Sequence, residues 1–337
     1  MTKILVTGSM GFIGGYVVEE LLKSGYEVVG IDNFSKYGKL VKNFQNHPKF
    51  SFVEGDAKDV DLMKDLIADC DQVVALAAMV GGISYFHVFP YDLLAENERI
   101  MASTFDAAIW AYKNKKLKKI NVISSSMVYE NTTDYPSKED SVSKIAPPFS
   151  TYGFQKLAVE YFCKGAFEQY GLPYTIIRPF NCVGTGEYKA SAMSEGNLKL
   201  ALGHVVPDLV LKVLQGQNPL HILGKGNQIR HYTYGKDIAL GIKMCIENKN
   251  AINESFNISS SESTTVLELA EMIWNKINKD KKFEYVCDTP YKYDVQKRVP
   301  SVEKAKELLG YEATTSLNQM LDIVIPWVKE QYEQGAI

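Results

Sequence analysis

The stretch Thr7-Gly8-Ser9-Met10-Gly11-Phe12-Ile13-Gly14 lies between an apolar run and a segment with helical spacing, near the start of a 337-residue chain. A turn from strand to helix is the context that a phosphate-binding glycine motif requires. The first glycine lets the chain bend, the second lets the backbone approach a pyrophosphate, and the third lets helix and strand pack closely. The stretch therefore predicts a dinucleotide-binding unit, although such turns also occur without ligands.

Short β-branched runs alternate with segments of helical spacing beyond this turn. Strands buried on both faces are predicted at residues 3–7, 27–31, 50–53, 72–75 and 120–124. Helices are predicted at residues 12–24, 59–68, 91–113, 151–170, 235–248, 264–276 and 301–309. This alternation predicts an α/β fold with a Rossmann-type, doubly wound parallel sheet.

The sequence pattern changes after Pro179, where glycines interrupt helical and strand-like segments that are shorter than those before it. We interpret residues 1–179 as the Rossmann domain and residues 180–337 as a smaller, substrate-binding domain. The Rossmann domain is predicted to be rejoined by about residues 228–258, which include a short strand at 255–258.

Composition excludes several classes of function. The chain is 46% hydrophobic and 23% charged, with a formal net charge of -3, which gives no electrostatic reason to expect nucleic acid. No stretch resembles a signal peptide or a membrane span. The five cysteines are scattered without metal-like pairing, so we expect a reduced cytoplasmic location, no membrane partner and no metal site.

Asp32 stands at the end of the second predicted strand. A carboxylate there can accept hydrogen bonds from the ribose hydroxyls of a dinucleotide and would repel a 2′-phosphate. The sequence therefore predicts NAD as the cofactor in preference to NADP.

Tyr152 and Lys156 are four residues apart, which places them on one helix face if Tyr152 opens a helix. The lysine charge can then lower the phenol pKa from its ordinary value of about 10. Tyr152 becomes a candidate general base for a hydroxyl group, and the run Ser124-Ser125-Ser126 supplies hydroxyls upstream. The same spacing occurs by chance on many ordinary helices.

Taken together, these motifs resemble the extended short-chain dehydrogenase/reductase family and, more narrowly, its NAD-dependent nucleotide-sugar epimerase/dehydratase branch, from residue 3 to about residue 330. The motifs that carry the resemblance are, in chain order, Gly8/Gly11/Gly14, Asp56, Leu76-Ala77-Ala78, Asn97, the serine run before Tyr129, Tyr152/Lys156 and Arg178-Pro179-Phe180-Asn181.

The resemblance implies the residues that bind NAD. Ala77 and Ala78 would serve equally as small packing residues, and Asp56 as a turn or cap residue. The expected cofactor-binding residues are Gly8, Gly11, Phe12, Ile13, Gly14, Asp32, Asn33, Asp56, Ala57, Leu76, Ala77, Ala78, Asn97, Tyr152 and Lys156.

The resemblance also implies that residues 180–337 bind a nucleotide sugar. Arg230 and Arg298 match arginines that contact its diphosphate, work that suits the guanidinium fork, although an isolated arginine is more often a surface residue. The expected substrate-binding residues are Gly82, Ser126, Asn181, His204, Val205, Arg230 and Arg298. Residues 187–203 are predicted to close over the substrate.

Met127 narrows the expected chemistry. Sugar 4,6-dehydratases of this branch carry Asp and Glu at the positions of Ser126 and Met127, decarboxylases tend to carry Glu at the latter, and fucose-synthase-like relatives carry Cys. A thioether has no dissociable proton. We therefore predict an NAD-dependent nucleotide-sugar 4-epimerase that passes through a transient 4-keto intermediate, with Ser125, Tyr152 and Lys156 as catalytic residues.

Several alternatives stay open. The enzyme could be a nucleotide-sugar C4 dehydrogenase or resemble a 4,6-dehydratase, and the fold also suits a non-catalytic NAD(H)-binding protein. The base is open as well, because residues 77–83 resemble a segment of GDP-sugar enzymes whereas UDP-sugars are the commoner substrates of C4 epimerases. The family implies a homodimer through helices 91–113 and 151–170, whose apolar residues could instead face only the sheet.

Overall fold

A seven-stranded, wholly parallel sheet organises the residues that the computed structural model describes, namely 2–188, 204–291 and 294–337. The strands of this part of the chain are β1 (Lys3–Thr7), β2 (Glu27–Asp32), β3 (Phe50–Glu54), β4 (Gln72–Ala75), β5 (Lys119–Ile123), β6 (Tyr174–Pro179), β7 (Cys182–Val183), β8 (Leu220–Leu223), β9 (Ile229–Arg230), β10 (Thr233–Tyr234), β11 (Glu254–Ile258), β12 (Thr264–Thr265) and β13 (Tyr285–Asp288). The large sheet has the order β11-β6-β5-β4-β1-β2-β3.

Helices cover both faces of this sheet. Those within the described ranges are α1 (Phe12–Lys23), α2 (Val60–Ile67), α3 (Ile83–Val88), α4 (Pro90–Asn114), α5 (Thr151–Tyr170), α6 (Val205–Leu214), α7 (Gly235–Glu247), α8 (Val266–Ile277), α9 (Glu303–Leu309) and α10 (Leu317–Glu333). None of them combines the length and the apolar character that crossing a membrane demands.

The two faces of β1 belong to different apolar cores, because successive side chains of a strand point to opposite sides. Ile4 and Val6 pack in the core that contains α1 and α7, whereas Leu5 packs in the core of α2, α4 and α5. The sheet is thus the middle of three layers. The predicted α/β fold with a Rossmann-type parallel sheet is confirmed.

The structure corrects two expectations about the strands. β3 was expected to be buried on both faces, but Ser51 and Glu54 are exposed because β3 is the edge strand. β6 was not predicted at all, although it lies inside the sheet between β5 and β11. Its sequence Tyr-Thr-Ile-Ile-Arg-Pro carries an arginine whose burial the sequence does not reveal.

The chain returns to the large sheet after an excursion. β11 pairs with β6 in parallel, and α7 packs against α1, so residues 235–258 lie within the three layers. Outside these layers β8 pairs with β13, and α6 packs against α8 and α10. The division into domains at residues 179 and 180 stays a prediction.

Candidate active site

One cavity of about 720 Å³ runs along the carboxyl edge of the sheet and continues between α6, β8 and β13. It is lined by all of the site residues expected from the sequence except Gly14 and Asn97. Ligands of open parallel sheets bind outside the carboxyl ends of the strands, so the cavity is where the fold type places a site.

The glycine turn forms one wall of the cavity. Gly8 has a φ of +69° and donates its N–H to the Ile31 carbonyl at 2.9 Å, which ties the end of β1 to β2. A Cβ at Gly14 would lie 2.0 Å from the Gly8 oxygen. Gly14 thus lies behind the cavity, where it lets α1 start close to the turn. This bare backbone at a helix N-terminus fits the pyrophosphate of a dinucleotide.

Asp32 anchors the same turn. Its carboxylate accepts hydrogen bonds from the Met10 N–H at 3.0 Å and the Phe34 N–H at 2.8 Å. Burial raises the pKa of this carboxyl, while the two N–H donors oppose the rise. Asp32 lines the cavity beside the turn, as a residue that contacts the adenosine ribose would.

Asp56 combines the two roles weighed from the sequence. It accepts hydrogen bonds from the Lys58 N–H at 2.9 Å, as a turn residue does, and from the Asn33 side-chain amide at 3.3 Å. Asn33, Asp56 and Ala57 also line the cavity beyond Asp32. Asp56 can therefore stabilise the turn and also contact the cofactor.

Asn97 positions the chain that follows β4. Its side chain accepts a hydrogen bond from the Met79 N–H at 2.7 Å and donates one to the Met79 carbonyl at 2.9 Å. Because both ends of the amide are used on one backbone residue, Asn97 is buried behind the cavity wall. It holds the segment after β4 in place, and its expected contact with NAD stays a prediction. Thr7 holds the same segment by accepting from the N–H groups of Leu76 and Ala77 at 3.0 and 2.9 Å.

The three expected catalytic residues come together at the middle of the cavity. Tyr152 lies in the first turn of α5, which Ser150 caps by accepting from the Gly153 N–H at 3.0 Å. The hydroxyls of Tyr152 and Ser125 are hydrogen-bonded to each other. The Lys156 Nζ donates to the Ile123 carbonyl at 3.1 Å and lies 6.0 Å from the centre of the Tyr152 ring.

The electrostatics of this trio differ from the expectation. Burial raises the pKa of Tyr152, opposed by the hydrogen bond with Ser125 and the positive charge of Arg298. Burial also lowers the pKa of Lys156 to about 8, with the Glu98 carboxylate opposing. In this structure Arg298, rather than Lys156, is thus the cation that favours the phenolate, which the sequence spacing could not show.

A buried polar network lies beneath the trio and was missed by the sequence reasoning. Ser124 donates to Glu160 at 2.7 Å, and Glu160 receives two hydrogen bonds of 2.8 Å from Arg178. Arg178 also donates to the Tyr129 oxygen at 2.6 Å. Burial alone would lower the pKa of Arg178, but the charge of Glu160 raises it above its ordinary value. The one available signal was Glu160 itself, a carboxylate one helical turn beyond Lys156.

Arg230 and Arg298 approach the trio from the opposite wall. Arg230 pairs with Asp294 at 3.5 Å, and Arg298 donates to the Asn181 side-chain oxygen at 3.5 Å. Burial lowers the pKa of Arg298 to about 10, and the like charge of Arg230 acts in the same direction. The Arg298 Nε is buried and has no hydrogen-bond partner among the described residues. Two crowded guanidinium groups of this kind suit a dianionic ligand such as a diphosphate.

The remaining expected substrate residues lie along the same cavity. His204 precedes α6 and its Nδ1 lies 2.6 Å from Oε1 of the buried Glu187, a partner that the sequence did not suggest. Burial would raise the pKa of Glu187, but the charge of His204 holds it below its ordinary value. Gly82, Ser126 and Val205 line the wall as well. The expected closing segment, 187–203, lies outside the described residues except for its first two.

No group of three or more His, Cys, Asp or Glu side chains is placed to hold a metal ion within residues 2–188, 204–291 and 294–337.

Comparisons with known proteins agree with this geometry. The model of the NAD dependent epimerase/dehydratase family matches residues 4–259. A protein named "Uncharacterized UDP-glucose epimerase YtcB", from Bacillus subtilis (strain 168), is 30% identical over 98% of this chain and 99% of its own. UDP-glucuronic acid decarboxylase 1 of Danio rerio is 26% identical over 99% of this chain and 74% of its own.

A solved structure is similar along the whole chain. The crystal structure of UDP-glucuronic acid 4-epimerase from Bacillus cereus, in complex with UDP-glucuronic acid and NAD, superposes with a TM-score of 0.82. It is 28% identical in sequence and covers 98% of this chain and 100% of its own.

Proposed function

The chain belongs to the NAD-dependent epimerase/dehydratase family and uses NAD, and on this premise we propose that it is a nucleotide-sugar 4-epimerase acting through a transient 4-keto intermediate. The observation that carries the proposal is the hydrogen-bonded pair of Ser125 and Tyr152, with Lys156 beside it. Met127 follows two residues after Ser125. Met127 is buried in the turn that follows Ser125.

The residues of the chain supply the proton chemistry at C4. Tyr152 takes the proton of the C4 hydroxyl, and Ser125 donates a hydrogen bond to the same oxygen. Arg298 favours the phenolate through its positive charge, and Lys156 beside the ring would hold the cofactor ribose. NAD held at the glycine turn and Asp32 would supply a hydride acceptor for C4 and a hydride donor for its reduction, and Tyr152 then gives the proton back to the oxygen. Arg230 and Arg298 hold the diphosphate while the sugar turns over, so that the hydride can return to the other face.

Met127 supports epimerisation over the rival reactions. Elimination across C5 and C6 needs a proton donor and a base beyond Tyr152, and the side chains that follow Ser125 are a serine and a thioether. Oxidation and reduction at C4 need only the trio and NAD. A C4 dehydrogenase, a dehydratase-like enzyme and a non-catalytic NAD(H)-binding protein are the alternatives that an experiment must separate.

The test is product analysis with the NAD-loaded protein and a panel of UDP- and GDP-sugars. Mass spectrometry with NMR assignment of the sugar distinguishes the reactions, because epimerisation conserves mass, oxidation removes two hydrogens and dehydration removes water. We expect an isomer inverted at C4 and no accumulation of NADH. A net loss of hydrogens or water would replace the epimerase assignment, and no turnover of any sugar would support the non-catalytic alternative.

We also propose that the protein is a homodimer that pairs through α4 and α5. An apolar groove lies between these helices, and Phe154 and Tyr161 beside it are 46% and 64% exposed. Pairing with a second copy of α4 and α5 would bury this surface. Light scattering should give twice the chain mass for the native protein, whereas a monomer at micromolar concentration would refute the proposal.

A further inference from the structure

We propose that the far end of the cavity, between α6, β8 and β13, recognises a guanine base, so that GDP-sugars are the substrate class. The inference rests on the proposed function, since it assumes that a nucleotide sugar lies with its sugar at Tyr152. It depends on three side chains to which the sequence motifs assign no role: Lys212, His221 and Asp288.

A chain of contacts places these side chains beyond the arginines. The charge of Arg298 acts on Tyr152, and that of Arg230 acts on Arg298. Arg230 pairs with Asp294, which accepts a hydrogen bond from the Gln228 side chain at 2.7 Å. A diphosphate held by the two arginines with its sugar toward Tyr152 therefore directs its nucleoside toward Gln228.

Gln228 connects the arginines to the far end of the cavity. Its Nε2 donates to the Leu223 carbonyl at 3.0 Å as well as to Asp294. These two bonds use both hydrogens of the Gln228 amide. Its Oε1 is buried without a hydrogen-bond partner among the described residues. Because a buried acceptor without a donor is unfavourable, this oxygen fits a ribose hydroxyl between the diphosphate and the base.

The next step leads to Asp288. Leu223 ends β8 and lies opposite Asp288, the last residue of β13. Oδ1 of Asp288 lies 2.9 Å from Nδ1 of His221, and this is the one hydrogen bond that the side chain makes within the described residues. A carboxylate can only accept, so the proton of this bond lies on His221 and Oδ2 remains available as an acceptor.

Lys212 provides a donor on the other side of His221, where Asp208 pairs with it. It lies on the α6 face that lines the cavity, 2.8 Å from Asp208 and 3.4 Å from the His221 carbonyl. Its ammonium has three hydrogens and no acceptor. The far end of the cavity thus presents a carboxylate and an ammonium, linked through His221.

This arrangement matches one nucleobase best. The pairing edge of guanine carries two adjacent donors, N1–H and the N2 amino group, followed by the acceptor O6. Oδ2 of the Asp288 carboxylate can receive one donor and the second lone pair of Oδ1 the other, and an ammonium can donate to O6. Uracil carries a single N–H between two carbonyl oxygens, and at least one of them would face the carboxylate. The charges therefore favour guanine and disfavour uracil.

The apolar part of this end can hold the base plane. Leu209 of α6, Leu223 of β8 and Val266 at the start of α8 line the cavity around the three polar side chains. A flat base buried between such walls gains from the hydrophobic effect whatever its edge, so the discrimination rests on the charged groups.

The test is calorimetric titration of the NAD-loaded protein with GDP, UDP, CDP, dTDP and ADP. We expect GDP to bind at least about tenfold more tightly than UDP, as for one good bidentate base contact. Asp288→Asn should weaken GDP binding about tenfold or more and change UDP binding by less than about threefold. Asp280→Asn, at an exposed residue outside the cavity, is the matched control and should change neither affinity.

Circular dichroism and thermal unfolding of Asp288→Asn check that the variant is folded. UDP binding as tightly as GDP, equal losses for both nucleotides in Asp288→Asn, or no binding of any nucleotide would overturn the guanine assignment. Tight GDP binding without turnover of any GDP-sugar would refute the proposed epimerase and leave the base assignment standing. Epimerisation of UDP-sugars, with UDP bound more tightly than GDP, would support the proposed epimerase and refute the guanine assignment.

Discussion

The two walls of the cavity are built in different ways. The cofactor wall consists of consecutive strand-to-helix turns, and its contacts are largely backbone contacts such as that of the Gly8 N–H with the Ile31 carbonyl. The substrate wall is assembled from side chains far apart in sequence, as in the hydrogen bond between Arg298 and Asn181, 117 residues apart. Because the fold itself fixes the first wall, substrate choice and reaction type depend on the second wall and on the residues where the two meet.

Tyr152 stands where the walls meet, and its replacement should have the largest effect. We expect Tyr152→Phe to lower kcat by about a thousandfold or more, because general base catalysis is lost while the ring still packs. NAD should stay bound, since the glycine turn is intact. Steady-state kinetics and measurement of NAD in the purified variant check both statements.

Tyr332→Phe, at an exposed residue of α10, is the matched control and should keep the activity of the native protein. Activity of Tyr152→Phe close to that of the native protein would show that another group removes the proton. Loss of NAD together with activity would place Tyr152 in the cofactor wall and weaken the distinction between the two.

Most residues that line the cofactor wall could be predicted from the sequence because their determinants are local. A glycine with a positive φ, a glycine against a backbone oxygen and a carboxylate at a strand end can each be recognised within a few residues. The observed bounds of β1 and α5 coincide with the predicted ones for the same reason, since both elements show their periodicity without help from distant segments.

Three features escaped prediction because each depends on distant partners. The amide of Asn97 bonds to the Met79 backbone, 18 residues away, a partner that no motif names. Arg298 acts on Tyr152 only because its backbone N–H bonds to the Ile229 carbonyl at 3.1 Å, which brings its segment to the cavity. Glu160 and Arg178 form a buried pair across the α5–β6 junction, which no spacing rule describes.

Lys156 also lies where the two walls meet, and its protonation should make the free energy of unfolding of the NAD-free protein depend on pH. Its folded pKa of about 8 lies below the ordinary value of 10.5, so the unfolded state binds more protons between these values. The free energy of unfolding should therefore rise with pH from about 8 to 10.5, by on the order of 3 kcal/mol from this group.

Urea unfolding across this pH range isolates the effect when the native protein is compared with Lys156→Met. The difference in unfolding free energy between the two proteins should grow in favour of the native protein as pH rises. A difference that stays constant with pH would mean that the Lys156 ammonium titrates near its ordinary value. It would then keep its charge beside Tyr152 over the whole range.

The cofactor wall should be sensitive to a single methyl group. In Gly14→Ala the new Cβ would lie 2.0 Å from the Gly8 carbonyl oxygen, a backbone atom that cannot rotate away. We expect the free energy of unfolding to fall by about 2 kcal/mol, as in overpacked cores, and NAD to bind more weakly. Denaturant unfolding and NAD titration measure the two effects.

Gly15→Ala is the matched control on the same helix. Its Cβ would first meet the Lys42 Nζ at 3.3 Å, the far end of a flexible side chain, so NAD affinity should be unchanged. If Gly14→Ala bound NAD as tightly as the native protein, the close approach of α1 to the turn would not be what forms the cofactor site.

The substrate wall should respond differently, with a smaller effect confined to one ligand. Arg230→Lys keeps the positive charge but loses the planar fork, of which one nitrogen donates to the Ile229 carbonyl at 2.9 Å and another pairs with Asp294. We expect the KM for the nucleotide sugar to rise about tenfold, with NAD affinity unchanged and kcat lowered less than KM is raised.

Arg99→Lys, on the exposed side of α4, is the matched control and should leave all three values unchanged. The result separates the walls because the mutated side chain touches no backbone of the glycine turn. If NAD affinity fell in parallel with substrate affinity, the two walls would form one coupled site, and the independence inferred from their construction would be wrong.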